Sequence, residues 1–128
     1  MASYFEIPVI IPAYEPDEKL ILLLHRLQEA GIAHMIVVDD GSGSAYQELF
    51  VRAEEVAGCE VLHHAVNLGK GRALKTAFNA CLLRFPGLCG CVTADSDGQH
   101  TPQDILACMR KLWENPETLV LGCRNFDA

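Results

Sequence analysis

The stretch IPVIIPAYEPDEKLILLLHRLQEAGIAHMIVVDDGSGS, residues 7–44, carries the pattern that decides the fold. Ile7 to Ile11 is a β-branched apolar run ended by Pro12, which reads as a buried strand. Pro16, Asp17 and Glu18 suit a first helical turn, where proline is tolerated and acids are favoured. Leu20, Leu23, Leu24 and Leu27 keep helical spacing, and Gly31 stops the helix. Met35 to Val38 is a second buried strand, and Asp39 to Ser44 is rich in turn residues.

The same alternation runs through the rest of the chain. Tyr46, Leu49, Phe50, Ala53 and Val56 mark a second helix closed by Gly58, and Cys59 to His63 is a third strand. A third helix presents Leu74, Phe78, Cys81, Leu82 and Phe85 as its apolar face and ends near Pro86-Gly87. Cys91 to Ala94 is a fourth strand. Thr101-Pro102-Gln103-Asp104 reads as an N-cap with proline at the first helical position. Leu106, Met109, Leu112 and Trp113 form the buried face of a fourth helix, and Thr118 to Leu121 is a fifth strand. Repeated strand–helix alternation predicts an α/β fold, a Rossmann-like and mainly parallel sheet with helices on both faces. Ligands of such sheets bind beyond the carboxyl ends of the strands. The loops at 12–16, 39–44, 64–71 and 95–101 are therefore expected on one rim.

Composition narrows the partners. Ten Lys and Arg against 17 Asp and Glu leave a net charge of −7. So acidic a chain lacks the cations a nucleic-acid binder or a broad anionic-lipid face requires. Half the residues are hydrophobic, which is ample for a core in 128 residues and argues against disorder. No run approaches the roughly 18 apolar residues of a membrane span, and no secretory signal opens the chain. The six cysteines, at 59, 81, 89, 91, 108 and 123, contain no Cys-x-x-Cys and sit mostly in apolar runs. They read as reduced thiols of a cytoplasmic protein. Zinc held by Cys89, Cys91, His63 and His64 lacks the usual ligand spacing.

The loops carry the chemistry. Glu15, Asp39 with Asp40, and Asp95 with Asp97 follow strands one, two and four. The third loop differs: no acid occurs from Val61 to Ala94, while Lys70, Arg72, Lys75 and Arg84 are basic. Cations at a helix N-terminus oppose its dipole, so helix stability does not explain Lys70 and Arg72. An anion resting on backbone N–H groups beside Gly69 and Gly71 explains them, and so does a solvated polar helix face. Asp95-Ser96-Asp97 is a DxD pattern whose two carboxylates point to one side of an extended segment. They repel each other and repel phosphate, and a magnesium or manganese ion removes both problems. Gln99 can add an amide oxygen. An ordinary acidic turn before a helix is the alternative. The spacing of Gly98 and Leu106 excludes an EF-hand, and no dinucleotide fingerprint, P-loop or Gly-x-Ser-x-Gly occurs.

Four segments taken together resemble family 2 glycosyltransferases, in the branch of polyprenyl- and dolichyl-phosphate sugar synthases. They are Val9-Ile10-Ile11-Pro12-Ala13-Tyr14, Val37-Val38-Asp39-Asp40-Gly41-Ser42, Asn67-x-Gly69-Lys70-Gly71-x-Ala73-Leu74, and Ala94-Asp95-Ser96-Asp97-Gly98-Gln99-His100-x-Pro102-x-Asp104-Ile105. The resemblance spans about Pro8 to Arg124. It implies a GT-A fold, a UDP- or GDP-linked sugar donor, a divalent cation (magnesium or manganese), and transfer with inversion to an acceptor such as a polyprenyl phosphate. By the same resemblance, Pro12, Tyr14 and Asp40 surround the base, and Lys70 lies near the nucleotide. Asp95 sits near ribose and metal, Asp97 binds the metal and Gln99 completes its shell. Glu15 joins the nucleotide-binding set at a departure: the family often has Asn-Glu where this chain has Glu15-Pro16.

Family members continue for roughly as long again beyond the point where this chain stops. The resemblance therefore implies that residues 1–128 are one incomplete domain, the donor-binding half. The acceptor site and the general base would lie in the missing half, and strand five would be left near an exposed edge that invites self-association. The branch also implies work at the cytoplasmic face of a membrane. A non-catalytic nucleotide-sugar-binding module is the alternative function. A nucleotidyltransferase is disfavoured, because Pro12-Ala13-Tyr14-Glu15-Pro16 is not a Gly- and Arg-rich loop.

Overall fold

The structure, a computed structural model, describes residues 6–86, 90–96 and 101–114. Four strands, β1 (Val9–Ala13), β2 (Met35–Asp39), β3 (Cys59–His63) and β4 (Val92–Thr93), form one sheet in the order β3-β2-β1-β4. Every pairing is parallel, with Val9 opposite Met35 and Val92, and Met35 opposite Cys59. The helices are α1 (Glu18–Glu29), α2 (Gln47–Glu54), α3 (Lys70–Arg84) and α4 (Pro102–Glu114). A 3₁₀ turn over Ser44–Tyr46 leads into α2. The expected α/β parallel sheet with helices on both faces is the observed architecture. The strand expected over residues 118–121 lies outside the described residues.

The helices divide three to one. Val9, Ile11, Met35, Val37 and Val92 face a core shared with Leu20, Leu24 and Leu27 of α1, Phe50 of α2, and Ile105 and Met109 of α4. Each fully buried leucine there contributes about 2 kcal/mol by leaving water. The alternate residues Ile10, Ile36 and Val38 face α3, the one described helix on that side. That follows from the strand period of two: one face of each strand serves each core.

Local signals set the helix ends. Asp17 caps α1 by accepting the Lys19 N–H at 2.9 Å. Gly31, at φ +96°, turns the chain out of α1, and the Ile32 N–H returns to the Leu27 carbonyl at 3.1 Å. Thr101 Oγ1 accepts the Asp104 N–H at 3.1 Å ahead of α4.

Three expectations are corrected. Helix α3 buries Ala73, Ala77, Ala80 and Cys81, not the larger residues. Leu82 is 73 % exposed and Phe78 lies at the surface, while Leu74 and Phe85 are partly buried. Positions 73, 77, 80 and 81 share one face of the helical period and pack on the sheet, which leaves Leu82 and Leu83 on the solvent side. In α4, Ile105 is buried with Met109 and Leu112, whereas Trp113 is exposed. Among the described cysteines, Cys59, Cys81 and Cys91 are free but Cys108 is disulfide-bonded, so the all-thiol expectation fails at that position. Burial pushes the Cys59 thiol up to about 12, which keeps it protonated and inert.

Candidate functional site

Pro12 belongs to β1 instead of ending it, and its missing N–H shapes the site. Along β1, the Pro8 and Ile10 carbonyls accept from Val92 and Ala94 of the β4 segment at 3.0 Å each. By the parallel pattern, the next bond would run from the nitrogen of residue 12 to the Ala94 carbonyl. Proline cannot donate it, so the β1–β4 ladder stops after Ile10 opposite Thr93. On the other side β1 stays paired with β2 as far as Ala13 opposite Asp39. The chain past β4 is thereby free to diverge from β1, and a cavity of about 570 Å³ opens between them at the carboxyl ends of the strands. Pro12, Tyr14, Asp40, Asn67, Lys70 and Asp95 line it, together with Ala13, Gly69 and Ser96.

The acids at the end of β2 brace the loops around this cavity. Asp39 is 2 % exposed and accepts from the Ser42 N–H at 2.9 Å, Gln47 Nε2 at 3.2 Å and His63 Nδ1 at 2.8 Å. Asp40 is 3 % exposed and has four donors: His64 Nδ1 at 2.8 Å, the Leu68 N–H at 2.9 Å, the Gly69 N–H at 3.0 Å and Asn67 Nδ2 at 3.3 Å. Burial pushes both carboxyls up, but the donors win and hold each below its ordinary value near 3.8; for Asp39 the leading donor is His63, for Asp40 the Leu68 N–H. With Nδ1–H given to Asp40, His64 Nε2 accepts the Thr76 hydroxyl of α3 at 2.8 Å. One carboxylate thus ties the 67–69 loop and α3 to the end of β2. Gly41 permits the closeness: a Cβ there would stand 2.1 Å from the Val66 carbonyl carbon, and its φ is +73°. Ser42 extends the staple to the first loop, its Oγ accepting the Glu15 N–H at 2.8 Å.

Asp95 is different. Its carboxylate faces the cavity with the side chain 25 % exposed, and Oδ1 accepts from Lys70 Nζ at 2.8 Å. Lys70 is the first residue of α3, whose first turn holds no acid and whose start has no side-chain cap. A hard anionic oxygen at the cavity wall is the donor type magnesium and manganese take, so Asp95 fits a divalent cation. No cluster of three or more His, Cys, Asp or Glu ligands occurs among the described residues, and Asp97 and Gln99 lie outside them.

The cavity therefore brings together five of the residues singled out from sequence, Pro12, Tyr14, Asp40, Lys70 and Asp95, from all four expected loops. Glu15 does not line it. Its backbone, at φ +47°, bends the chain into α1 while its side chain is exposed. His63 and His64 bond to Asp39 and Asp40, which gives them a structural role in place of zinc ligation. Sequence reasoning missed the His64–Asp40–Thr76 chain, whose members are 24 and 12 residues apart. The one local signal was the alignment of β2 and β3, which sets His63 opposite Asp39. Among the described residues no helix is long and apolar enough to cross a membrane.

Comparison with known proteins matches residues 9–127 to the model of glycosyl transferase family 2. The polyprenol monophosphomannose synthase of Mycolicibacterium smegmatis is 35 % identical over 103 residues, covering 76 % of this chain and 37 % of that protein. An uncharacterised protein of Methanocaldococcus jannaschii is 32 % identical over 95 % of this chain and 48 % of its own length. The UDP-N-acetylglucosamine–dolichyl-phosphate N-acetylglucosaminyltransferase of Methanococcus voltae is 28 % identical over 91 % of this chain and 51 % of its own. The chain spans about half or less of the length of these curated relatives. Among solved structures, residues 1–349 of S. aureus TarS superpose with a TM-score of 0.58 at 21 % identity, over 83 % of this chain and 32 % of that one, which speaks for the fold.

Proposed function

This chain belongs to glycosyltransferase family 2, and we propose that its residues act as a single donor-binding domain for a uridine- or guanosine-diphosphate sugar. The sugar would pass, with inversion, to a prenyl-phosphate acceptor at the cytoplasmic face of a membrane. The observation that carries this reading is the meeting of Tyr14, Asp40, Asn67, Lys70 and Asp95 in one cavity at the strand ends, where doubly wound sheets bind nucleotides. The prenyl-phosphate transferases among the relatives support the acceptor class.

In this reading the exposed ring of Tyr14 and the edge of Pro12 hold the base, and the walls braced by Asp39 and Asp40 keep the cavity open before the donor arrives. Asp40 contributes to the base site through the loop it fixes, because its four acceptor positions already have donors. The diphosphate faces Lys70 and the N-terminus of α3, both positive. Asp95, with Asp97 and Gln99, would hold magnesium or manganese, which when bound neutralises the diphosphate as it leaves. No residue of the described cavity is assigned as the base that deprotonates the acceptor.

Calorimetric titration with UDP and GDP, each with manganese, tests the donor site. Micromolar to submillimolar binding of one of them, lost on Asp95→Ala, is the expected result. Binding of neither would contradict it. Turnover measured beside it, with the sugar nucleotide and a polyprenyl phosphate, separates a transferase from a module that only binds the donor.

A further inference from the structure

Lys70 is set where helix energetics disfavour it. It opens α3 directly after Gly69, at φ +99°, with no acid in the first turn. Its charge therefore adds to the positive end of the helix dipole. The helical bonds begin with the Ala73 N–H to the Gly69 carbonyl at 3.1 Å, so the N–H groups of Lys70, Gly71 and Arg72 lie ahead of the first intrahelical donor. The compensation lies across the cavity, 25 residues away in sequence, where Asp95 holds the ammonium at 2.8 Å. The Lys70 side chain is 48 % exposed on a flexible four-carbon stem, so it can swing while its backbone stays fixed by the helix.

We infer that Lys70 and a divalent cation are alternative occupants of Asp95: the lysine keeps the empty site closed to metal, and gives Asp95 up when a nucleoside diphosphate draws the ammonium to itself. The inference rests on the donor-site reading above. A metal ion bonds to a carboxylate oxygen at about 2.1 Å. Whichever oxygen of Asp95 it took, it would stand a few ångströms from an ammonium already bonded to that carboxylate, and the like charges repel. A diphosphate at the start of α3 reverses this balance. It offers Lys70 two or more negative charges in place of one, beside the same N–H groups, and so removes from Asp95 the positive charge that opposes the cation. Metal-free nucleotide binding then depends on Lys70, while nucleotide-free metal binding is opposed by it. The two effects of one side chain have opposite signs, and both must exceed what deleting any nearby positive charge produces.

The test is a manganese titration followed by the paramagnetic resonance of the free ion, on wild type, Lys70→Met and Lys75→Met, with a parallel calorimetric titration of UDP and GDP in chelator. Lys75, exposed one turn along α3, measures the effect of deleting a nearby positive charge without the Asp95 contact. Circular dichroism verifies that each variant is folded. Lys70→Met is expected to tighten nucleotide-free manganese binding by about tenfold, against less than about threefold for Lys75→Met. It should also weaken metal-free diphosphate binding by about tenfold. Adding Asp95→Ala to Lys70→Met should abolish the gained manganese affinity. Manganese affinity unchanged by Lys70→Met, or raised no more than by Lys75→Met, overturns the inference while leaving the donor site intact if the diphosphate still binds. Tightened manganese with no diphosphate binding to any protein keeps the exclusion at Asp95 and removes the donor-site reading.

Discussion

Two acidic sites, Asp39-Asp40 at the end of β2 and Asp95 after β4, look alike in sequence and stand in opposite states. Each stands at the end of an apolar strand and opens a loop at the same rim. The pair at the end of β2 is at most 3 % exposed and accepts seven hydrogen bonds, three at Asp39 and four at Asp40. The Asp95 side chain is 25 % exposed on the cavity wall, and its Oδ1 accepts from Lys70, whose ammonium can move. The difference originates in the neighbours. Strand β2 is flanked on both sides along its whole length, so His63, His64 and the loop after β3 close over its end. Strand β4 pairs with β1 for only two residues before Pro12 ends the ladder, and among the described residues the cavity opens beside Asp95 on that side. A fully satisfied carboxylate is a building element, and one that can exchange its partner is available for chemistry.

This contrast fails if the two sites respond alike to mutation. The largest effect is expected from Asp40→Ala, which leaves the Leu68 and Gly69 N–H groups and His64 without their acceptor. Urea unfolding should show a loss of about 3 kcal/mol or more. Gly41→Ala is expected to cost about 3 kcal/mol, because the new methyl group meets the Val66 backbone at 2.1 Å on a strained φ. Acid sharpens the contrast further. Asp39 and Asp40 are held below their unfolded values, so their contribution is complete above about pH 4 and is lost as pH falls through the lowered folded values. Unfolding midpoints of wild type should drop below pH 4, and those of Asp40→Ala should drop less. Asp95→Ala is expected to change stability by about 1 kcal/mol or less, since its ion pair is partly solvated, while removing ligand binding. Leu82→Ser, on the exposed face of α3, should stay within about 0.5 kcal/mol.

Much of this was legible in the residues. The periods of strand and helix give all four described strands and helices, and β3 agrees at both ends with its sequence bounds. The convergence of four loops on one cavity follows from parallel strands alone. Three features were hidden because they depend on packing between distant segments. The buried face of α3 was read from its large apolar residues, yet Ala73, Ala77 and Ala80 are the residues that pack with Ile10, Ile36 and Val38 of the sheet. Pro12 was read as a strand terminator. It terminates one ladder of the two, which is visible only once the strand order places β4 on that side. The donors that fix Asp40 were hidden because its motif says nothing of His64, Leu68 and Gly69, 24 to 29 residues later. The expectations at Asp97 and Gln99 lie outside the described residues.

The most direct measurement is a crystal structure of the full chain grown with manganese and UDP or GDP, with the metal located by its anomalous scattering. The account predicts the diphosphate at the start of α3 with Lys70 Nζ about 3 Å from a phosphate oxygen, and the manganese on the Asp95 carboxylate. A nucleotide bound elsewhere, or one bound in this cavity with Lys70 still on Asp95 and no metal there, would contradict it.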